Sequence, residues 1–398
     1  MPPPRLPAQE PTAPACELHL AGDADELDAA AWDALLATQR QPTPFMRHAY
    51  LAALQASGSA TPRSGWTPVY FTLRRGGALR AACALYLKTH SRGEYVFDWG
   101  WADAYARHGL AYYPKAVLAV PFTPVPGTRL LATDEAARAT LLQGLLAWAR
   151  EQELSSLHLL FGADEDLAAA QAAGLLLRHT VQFHWRNARP DGGGAFADFA
   201  DFLASLSQDK RKKIRQERRR VQEAGVTFRV LRGREIGAPD WTFFYRCYER
   251  TYLEHGNAPY LTPDFFARMA RELPEPWVLF IAERAGTPIA ASLVAVEGQV
   301  AYGRYWGALE RVDCLHFEAC YYQPLQWCIA QGVQRFEGGA QGEHKMARAL
   351  LPVQASSAHW LAHPAFADAV ERFLEREGAA VEGYLQELQG RSPFRRPG

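Results

Sequence analysis

Within five positions, Gln341 to Lys345, the chain places an amide, a carboxylate, an imidazole and an amine. They follow Gly338, Gly339 and Ala340, and Gly342 lies among them. Glycines let a backbone approach a ligand closely, and Gln341, Glu343, His344 and Lys345 supply an acceptor, a base and donors. Upstream, Tyr302, Arg304 and Trp306 alternate with Gly303 and Tyr305, so on a regular strand the first three share one face. A guanidinium on an aromatic strand needs a partner, and its fork suits a carboxylate or a phosphate. Glu318 and Glu337 are the internal candidates for that partner. His316 and Glu318, two apart, fall on adjacent helix faces and are not a metal pair, whereas Glu318 and Tyr322 share a face. Together these groups suit proton transfer beside a bound anion.

A second group is electrostatic. Lys210, Arg211, Lys212, Lys213, Arg215, Arg218, Arg219 and Arg220 put eight cations in eleven positions, opposed only by Glu217. Like charges three and four apart cost roughly 0.2–0.5 kcal/mol per pair on a helix. Lys210, Lys212, Lys213, Arg215 and Arg219 are therefore expected to form a phosphate-binding surface, against the alternative of a merely solvated helix. Asp98 and Trp99 join aromatic and carboxylate groups that suit a sugar or peptide, or else pack as core. His255 to Tyr260 links two helices.

The elements that must position these groups are legible from period and punctuation. Ser207 and Gly225 bracket a helix over 208–224. Trp241, Phe244, Tyr245, Tyr248 and Tyr252 recur at helical spacing. Thr262-Pro263 opens the next helix. Strands follow at 277–283, 288–296 and 299–306, then a helix over 315–331 and a strand over 333–337. The first half repeats the order, with strands at 17–20, 69–74, 79–88, 115–121, 157–161 and 175–185 and helices at 26–37, 44–55, 135–152 and 164–173. Residues 94–113 are an insertion. The expected division is a disordered leader 1–15, a first domain 16–188, a second domain 195–385 and a flexible tail 386–398, with Pro190 to Gly194 as linker.

The repeated β-α-α-β-β-β-α-β order resembles the GNAT acyltransferase fold, a mixed α/β sheet splayed between its fourth and fifth strands. Two such halves, with a basic helix opening the second, resemble the Fem peptidoglycan aminoacyltransferases and, more closely, the FemAB-like N-acyltransferases of bacteria. GEYVFDWGWADAY (93–105), DKRKKIRQERRRVQEAGV (209–226), YLEHGNAPYLTPDFF (252–266) and FEGGAQGEHKMARALLPV (336–353) carry the likeness. The resemblance implies two tandem GNAT-like domains and acyl or aminoacyl transfer to an amine. On that reading Glu343 or His344 is the base, Arg304 and Lys345 bind an anion or oxyanion, and Tyr305 or Tyr321 is the proton donor. Trp306, His316, Glu318, Glu337, Gln341, Arg348, His255, Tyr260, Asp98 and Trp99 would bind substrate. The GNAT coenzyme-A loop, (R/Q)xxGx(G/A), is absent from both halves. The first has three prolines between Pro121 and Arg129, and the second has Gly307 with Glu310 and Asp313. Acyl-CoA and aminoacyl-tRNA, the latter on the basic helix, both stand as donor. A small-molecule, peptide or amino-sugar acceptor is implied, and a non-catalytic module for a nucleic-acid or cell-wall ligand is the alternative.

Composition narrows the field. With 43 basic and 43 acidic residues over 398, the net charge is zero, which excludes a globally basic nucleic-acid binder. Six cysteines form no CxxC pair, so neither a disulfide framework nor a metal site is expected. No apolar run approaches a membrane span, and a cytoplasmic protein is expected.

Overall fold

The computed structural model describes residues 16–340 and 342–395. The first half opens with β1 (Cys16–Ala21), α1 (Ala29–Ala37), α2 (His48–Ala56), β2 (Trp66–Arg75) and β3 (Ala78–Lys88). It continues with α3 (Trp99–Arg107), β4 (Lys115–Leu118), β5 (Leu131–Ala132), α4 (Glu135–Glu151), β6 (Ser156–Leu159), α5 (Asp164–Ala172) and β7 (Leu176–Arg186). The second half has α6 (Phe199–Ser205), α7 (Gln208–Glu223), β8 (Val226–Arg232), α8 (Ala238–Glu254), α9 (Pro263–Glu272), β9 (Trp277–Arg284), β10 (Thr287–Glu297) and β11 (Val300–Ala308). Then come α10 (Leu315–Phe317), a π-helical turn (Glu318–Tyr322), α11 (Gln323–Ala330), β12 (Arg335–Ala340), β13 (Leu351–Leu361) and α12 (Pro364–Gln389).

Local chemistry sets several of these boundaries. Asp28, Asp134 and Thr262 each accept the free N–H three residues on, at the starts of α1, α4 and α9. Such a cap contributes ~1 kcal/mol. Strand alternation then sorts the core into two layers. Tyr70 and Leu279 face a cluster that joins α1, α2, α8 and α9 across both halves. Phe71 faces α4, and Phe280 faces α11, on the opposite side.

The expected order is present twice, in one mixed sheet that runs β1-β2-β3-β4-β6-β13-β7-β12-β11-β10-β9-β8. Strand exchange makes the sheet continuous. β13, from the far end of the chain, lies antiparallel between β6 and β7. β7 in turn pairs with β12 of the second half. Helix α12 straps the exchange: Val370 and Leu374 pack with Trp101 of the first half, and Leu388 is buried in the second. The expected free tail from 386 is thereby corrected through residue 395. Gln386 to Gln389 complete α12, Ser207 N donates to Pro393 O at 2.9 Å, and Arg395 N donates to Ser205 O at 3.0 Å. The expected leader 1–15 lies outside the described residues. Among those described, no helix is long and apolar enough to cross a membrane.

Residues 191–194 are exposed. Limited proteolysis is expected to nick them, giving two bands on a denaturing gel. The fragments should nevertheless co-elute on native size exclusion, because each holds a strand of the other's sheet. Separation of the nicked halves would show that the exchange does not hold them.

Candidate active site

β11 and β12 pair in parallel through Val300↔Arg335, Ala301↔Phe336 and Tyr302↔Glu337, and then part. A bulge stands on each strand at that point. On β11, Arg304 is the extra residue between Gly303 and Tyr305, which oppose Val294 and Leu293. On β12, one extra residue lies between the pairs Glu337↔His184 and Ala340↔Gln182. Bulges end pairing and re-aim side chains. The expected alternation is corrected here: Arg304 and Tyr305 come to the same side, with Nη2 donating to the Tyr305 hydroxyl at 3.0 Å. Tyr305 packs on Tyr248, and Arg304 lies over Phe45. Trp306 turns the other way, against His316.

Two chambers meet in the gap. One, of about 150 Å³, is walled by Ser292, Trp306, His316, Cys320 and Tyr321. The other, of about 290 Å³, is walled by Tyr95, Phe97, Phe122, Gln182, Tyr252 and Glu337. Gly303, Arg304, Tyr305 and Gly338 border both. The first half thus completes the second half's cleft. Its proline-rich loop crosses over, where the Phe122 carbonyl and Thr123 hydroxyl accept from Arg304 at 3.0 and 3.1 Å. The corresponding gap in the first half, beyond β4 and β6, is plugged. Arg129, 2% exposed, donates there to the carbonyls of Leu160, Gly127 and Val125.

Glu337 is the titratable group best placed for proton transfer. It is 4% exposed, and Oε1 accepts from Arg335 Nε at 3.0 Å. Oε2 has no hydrogen-bond partner among the described residues. Burial pushes the carboxyl up to about 7, against the pull of Arg335. His184 Nε2 is 3.9 Å away. That imidazole is held neutral, down at about 3, by its own burial and then by Arg335, Arg186 and Lys345. A desolvated carboxylate near neutrality beside a cleft is what a general base requires.

The other expected residues divide sharply. Lys345 is buried and donates to the carbonyls of Gly338 and Gly339 at 2.6 and 3.4 Å, pinning the β12 bulge. Burial lowers its ammonium to about 8. Tyr321 borders the smaller chamber, and its hydroxyl lies 3.3 Å from Nε2 of His344, which itself lines neither chamber. His316 stands in the same wall, held at about 4 by desolvation and then by His344, Arg348 and Lys345.

Several expectations are corrected. Glu343, the first residue of a 3-10 turn over Glu343–Arg348, lines neither chamber and accepts at the surface from Tyr384 at 2.9 Å and Arg391 at 3.1 Å. Arg348 is a buried strut, 2.8 Å from Glu217 of α7 and 3.6 Å over the Phe317 ring. Glu318 pairs with Arg218 at 3.0 Å, so neither it nor Glu337 is the partner of Arg304. Asp98 is 4% exposed and bonded to Lys115, while Trp99 is exposed. His255 is exposed at the end of α8, and Tyr260 stacks on Phe122 at 4.6 Å to brace the chamber wall. Gln341 lies outside the described residues.

Helix α7 buries Ile214, Glu217 and Val221. Lys212, Lys213, Arg215 and Arg219 are exposed and Lys210 half-buried, and none of them has an ion pair among the described residues. Gly307 serves packing: a Cβ there would stand 1.9 Å from the Cys247 carbonyl oxygen, so β11 approaches α8 only through glycine. Among the described residues no group of three His, Cys, Asp or Glu side chains is arranged to hold a metal. Sequence reasoning missed Tyr95, Phe122, Gln182 and Tyr252 as wall residues, since nothing in their spacing links them to Arg304.

Two GNAT-like α/β halves sharing a sheet, with an open gap where the fourth and fifth strands of one half part, define a protein of the GNAT-related fold. The chain belongs to the FemAB-like family of peptidoglycan biosynthesis/recognition, which it matches over residues 23–396. FemX has a similar fold, at 11% identity and a TM-score of 0.52 over 87% of this chain and 98% of that one. L-PGS from Bacillus licheniformis is similar to the same degree, 11% and 0.52, over 87% of this chain and 97% of its own. No curated protein is similar in sequence.

Proposed function

We propose that this protein is an N-acyltransferase of peptidoglycan metabolism, moving an acyl or aminoacyl group from an activated carrier to an amine. The observation that carries this reading is the orphaned Glu337 Oε2 beside the parted strands. In the reaction, Glu337 takes a proton from the acceptor ammonium, and the freed amine attacks the acyl carbon. The carbon–oxygen or carbon–sulfur bond to the carrier breaks as the amide forms. The second nitrogen proton passes to the Tyr321 oxygen in exchange for the one it gives the leaving group, and Glu337 then releases its proton to water. One proton goes to the leaving oxygen or sulfur, for which the Tyr321 hydroxyl in the smaller chamber is the available donor. The acceptor occupies the larger chamber beside Glu337, and the donor enters from the smaller.

The exposed basic face of α7 supports a polyanionic carrier. Gly307, committed to packing, gives little support to a pyrophosphate-cradling loop. Both carriers in question, aminoacyl-tRNA and acyl-CoA, are cytoplasmic, so the reaction takes place there. Replacing Lys212, Arg215 and Arg219 together with Gln is expected to weaken donor binding and flatten its salt dependence, by roughly 0.7 in slope for each phosphate no longer neutralised. Surface substitutions of this kind shift stability by only about 0.5 kcal/mol each. An unchanged salt slope would return α7 to a solvated helix.

The deciding experiment incubates the protein with acyl-CoA or aminoacyl-tRNA and peptidoglycan precursors, and follows amine-dependent loss of the acyl group from its carrier. Carrier and precursor binding without transfer would favour a non-catalytic binding module instead.

A further inference from the structure

Two residues that border the larger chamber each hold one unsatisfied, buried charged atom, and the two are of opposite sign. Of the buried side-chain polar atoms with no hydrogen-bond partner among the described residues, Arg304 Nε and Glu337 Oε2 are the two whose residues border it. Each charged group is otherwise committed. Arg304 Nη2 already serves the Phe122 carbonyl and two hydroxyls, and Glu337 Oε1 serves Arg335. Gln182, in the same wall, is satisfied, donating to the Pro124 carbonyl at 2.9 Å and lying 3.2 Å from His184. Aromatic rings make up much of the remaining wall.

A desolvated orphan donor on a cation and a desolvated orphan acceptor on an anion each cost stability unless a ligand satisfies them. A ligand that satisfies both carries an amine and an acid group. The separation is short: Tyr302 pairs with Glu337, and Arg304 follows two residues along β11, about 7 Å at strand rise. About 290 Å³ is at the lower end of ligand-site volumes, so the ligand portion is small.

We infer that the acceptor enters this chamber as a small zwitterion, a primary amine and a carboxylate a few bonds apart, as in a free amino acid or the amino-acid end of a larger molecule. Its ammonium faces Glu337 Oε2, its carboxylate faces Arg304 Nε, and its side chain lies among the aromatic walls. This rests on the transferase reading for the role of the amine. It adds what that reading leaves open: a simple alkylamine would leave the guanidinium unsatisfied, and an amino sugar would meet it with neutral hydroxyls and no opposing charge.

The test measures binding by calorimetry with matched probes: alanine, aminobutyrate and lysine as zwitterions, propylamine as amine alone, and propionate as acid alone. The expected result is that a zwitterion binds at least 10-fold more tightly than either half-ligand. Arg304→Gln should bring the zwitterion-to-amine ratio down to about 1, and Glu337→Gln should do the same for the zwitterion-to-acid ratio. Equal binding of propylamine and the zwitterions by the wild-type protein would overturn the inference whether or not either variant folds. So would an unchanged ratio in a folded Arg304→Gln protein. The two readings fail separately. Transfer to simple amines as readily as to zwitterions would leave the transferase standing and sink the zwitterion, whereas selective zwitterion binding without any transfer would do the reverse.

Discussion

Glu337→Gln should lose about 10²–10⁴-fold in turnover, the usual contribution of a general base, and should fold at least as well as the wild type above pH 7. Wild-type turnover should rise with pH through about 7 as the carboxyl gives up its proton. Stability should move in the opposite direction. Between 4.5 and about 7 the folded protein holds a proton on Glu337 that the unfolded chain has released, so its contribution to stability falls as pH rises through that window. That difference corresponds to on the order of 3 kcal/mol at pH 8. Gln keeps the shape and an acceptor for Arg335 without the buried charge, so urea unfolding at pH 8 should show a variant as stable as the wild type or more so. A variant that folds normally and retains full turnover would exclude Glu337 as base. One that loses stability at pH 8 would show the carboxylate to be structural.

The second large effect lies in the first half, away from the open cleft. Lys115, fully buried, donates to Ser91 at 2.9 Å, Glu94 at 2.8 Å and Asp98. The Tyr112 hydroxyl donates to Asp98 at 2.6 Å. His158 and His359 stand opposite each other on β6 and the exchanged β13, with Nδ1 atoms 2.8 Å apart. The cluster therefore ties the insertion, β4, β6 and β13 together. Burial pushes Glu94 up to about 7 despite Lys115. Against the same desolvation, Lys115 holds Asp98 well below the usual carboxylate range.

Lys115→Met would leave two buried carboxylates without their cation, a loss of about 3–5 kcal/mol and a Tm lower by roughly 4–6 °C. The deficit should be largest at pH 8 and shrink toward pH 6, where the carboxyls take protons instead. The insertion also carries Tyr95 and Phe97 of the larger chamber. The catalytic efficiency, kcat/KM, per folded molecule should therefore fall mainly through a higher KM for the acceptor. A loss under 1 kcal/mol at pH 8 would show that the cluster is not what anchors the insertion.

How much of this was legible in the chain differs residue by residue. The twofold β-α-α-β-β-β-α-β order followed from period, caps and turn residues, which are local and survive folding unchanged. Cation density singled out α7, and the one acid within its run of cations, Glu217, proved to be the group that fastens Arg348. Arg304 and Glu337 were both marked, the first because a guanidinium among aromatics is costly, the second as its supposed partner. Composition and motif could not rank Glu337 above Glu343. Both are glutamates near glycines, and only burial separates them: one is desolvated against Arg335, the other sits in water with Arg391.

The sequence by itself determined the two halves, the basic helix and the stretch in which the cleft would lie, because those depend on neighbours within a turn or a strand. Tertiary structure alone decided that β13 crosses to the first half, that bulges at Arg304 and the Gly338-Gly339 stretch part the strands, and that Phe122, Gln182 and Tyr95 wall the gap. Strand register and side-chain desolvation arise from residues far apart in the chain, so no local pattern encodes them. Glu337 becomes a candidate base only after the fold has removed its water.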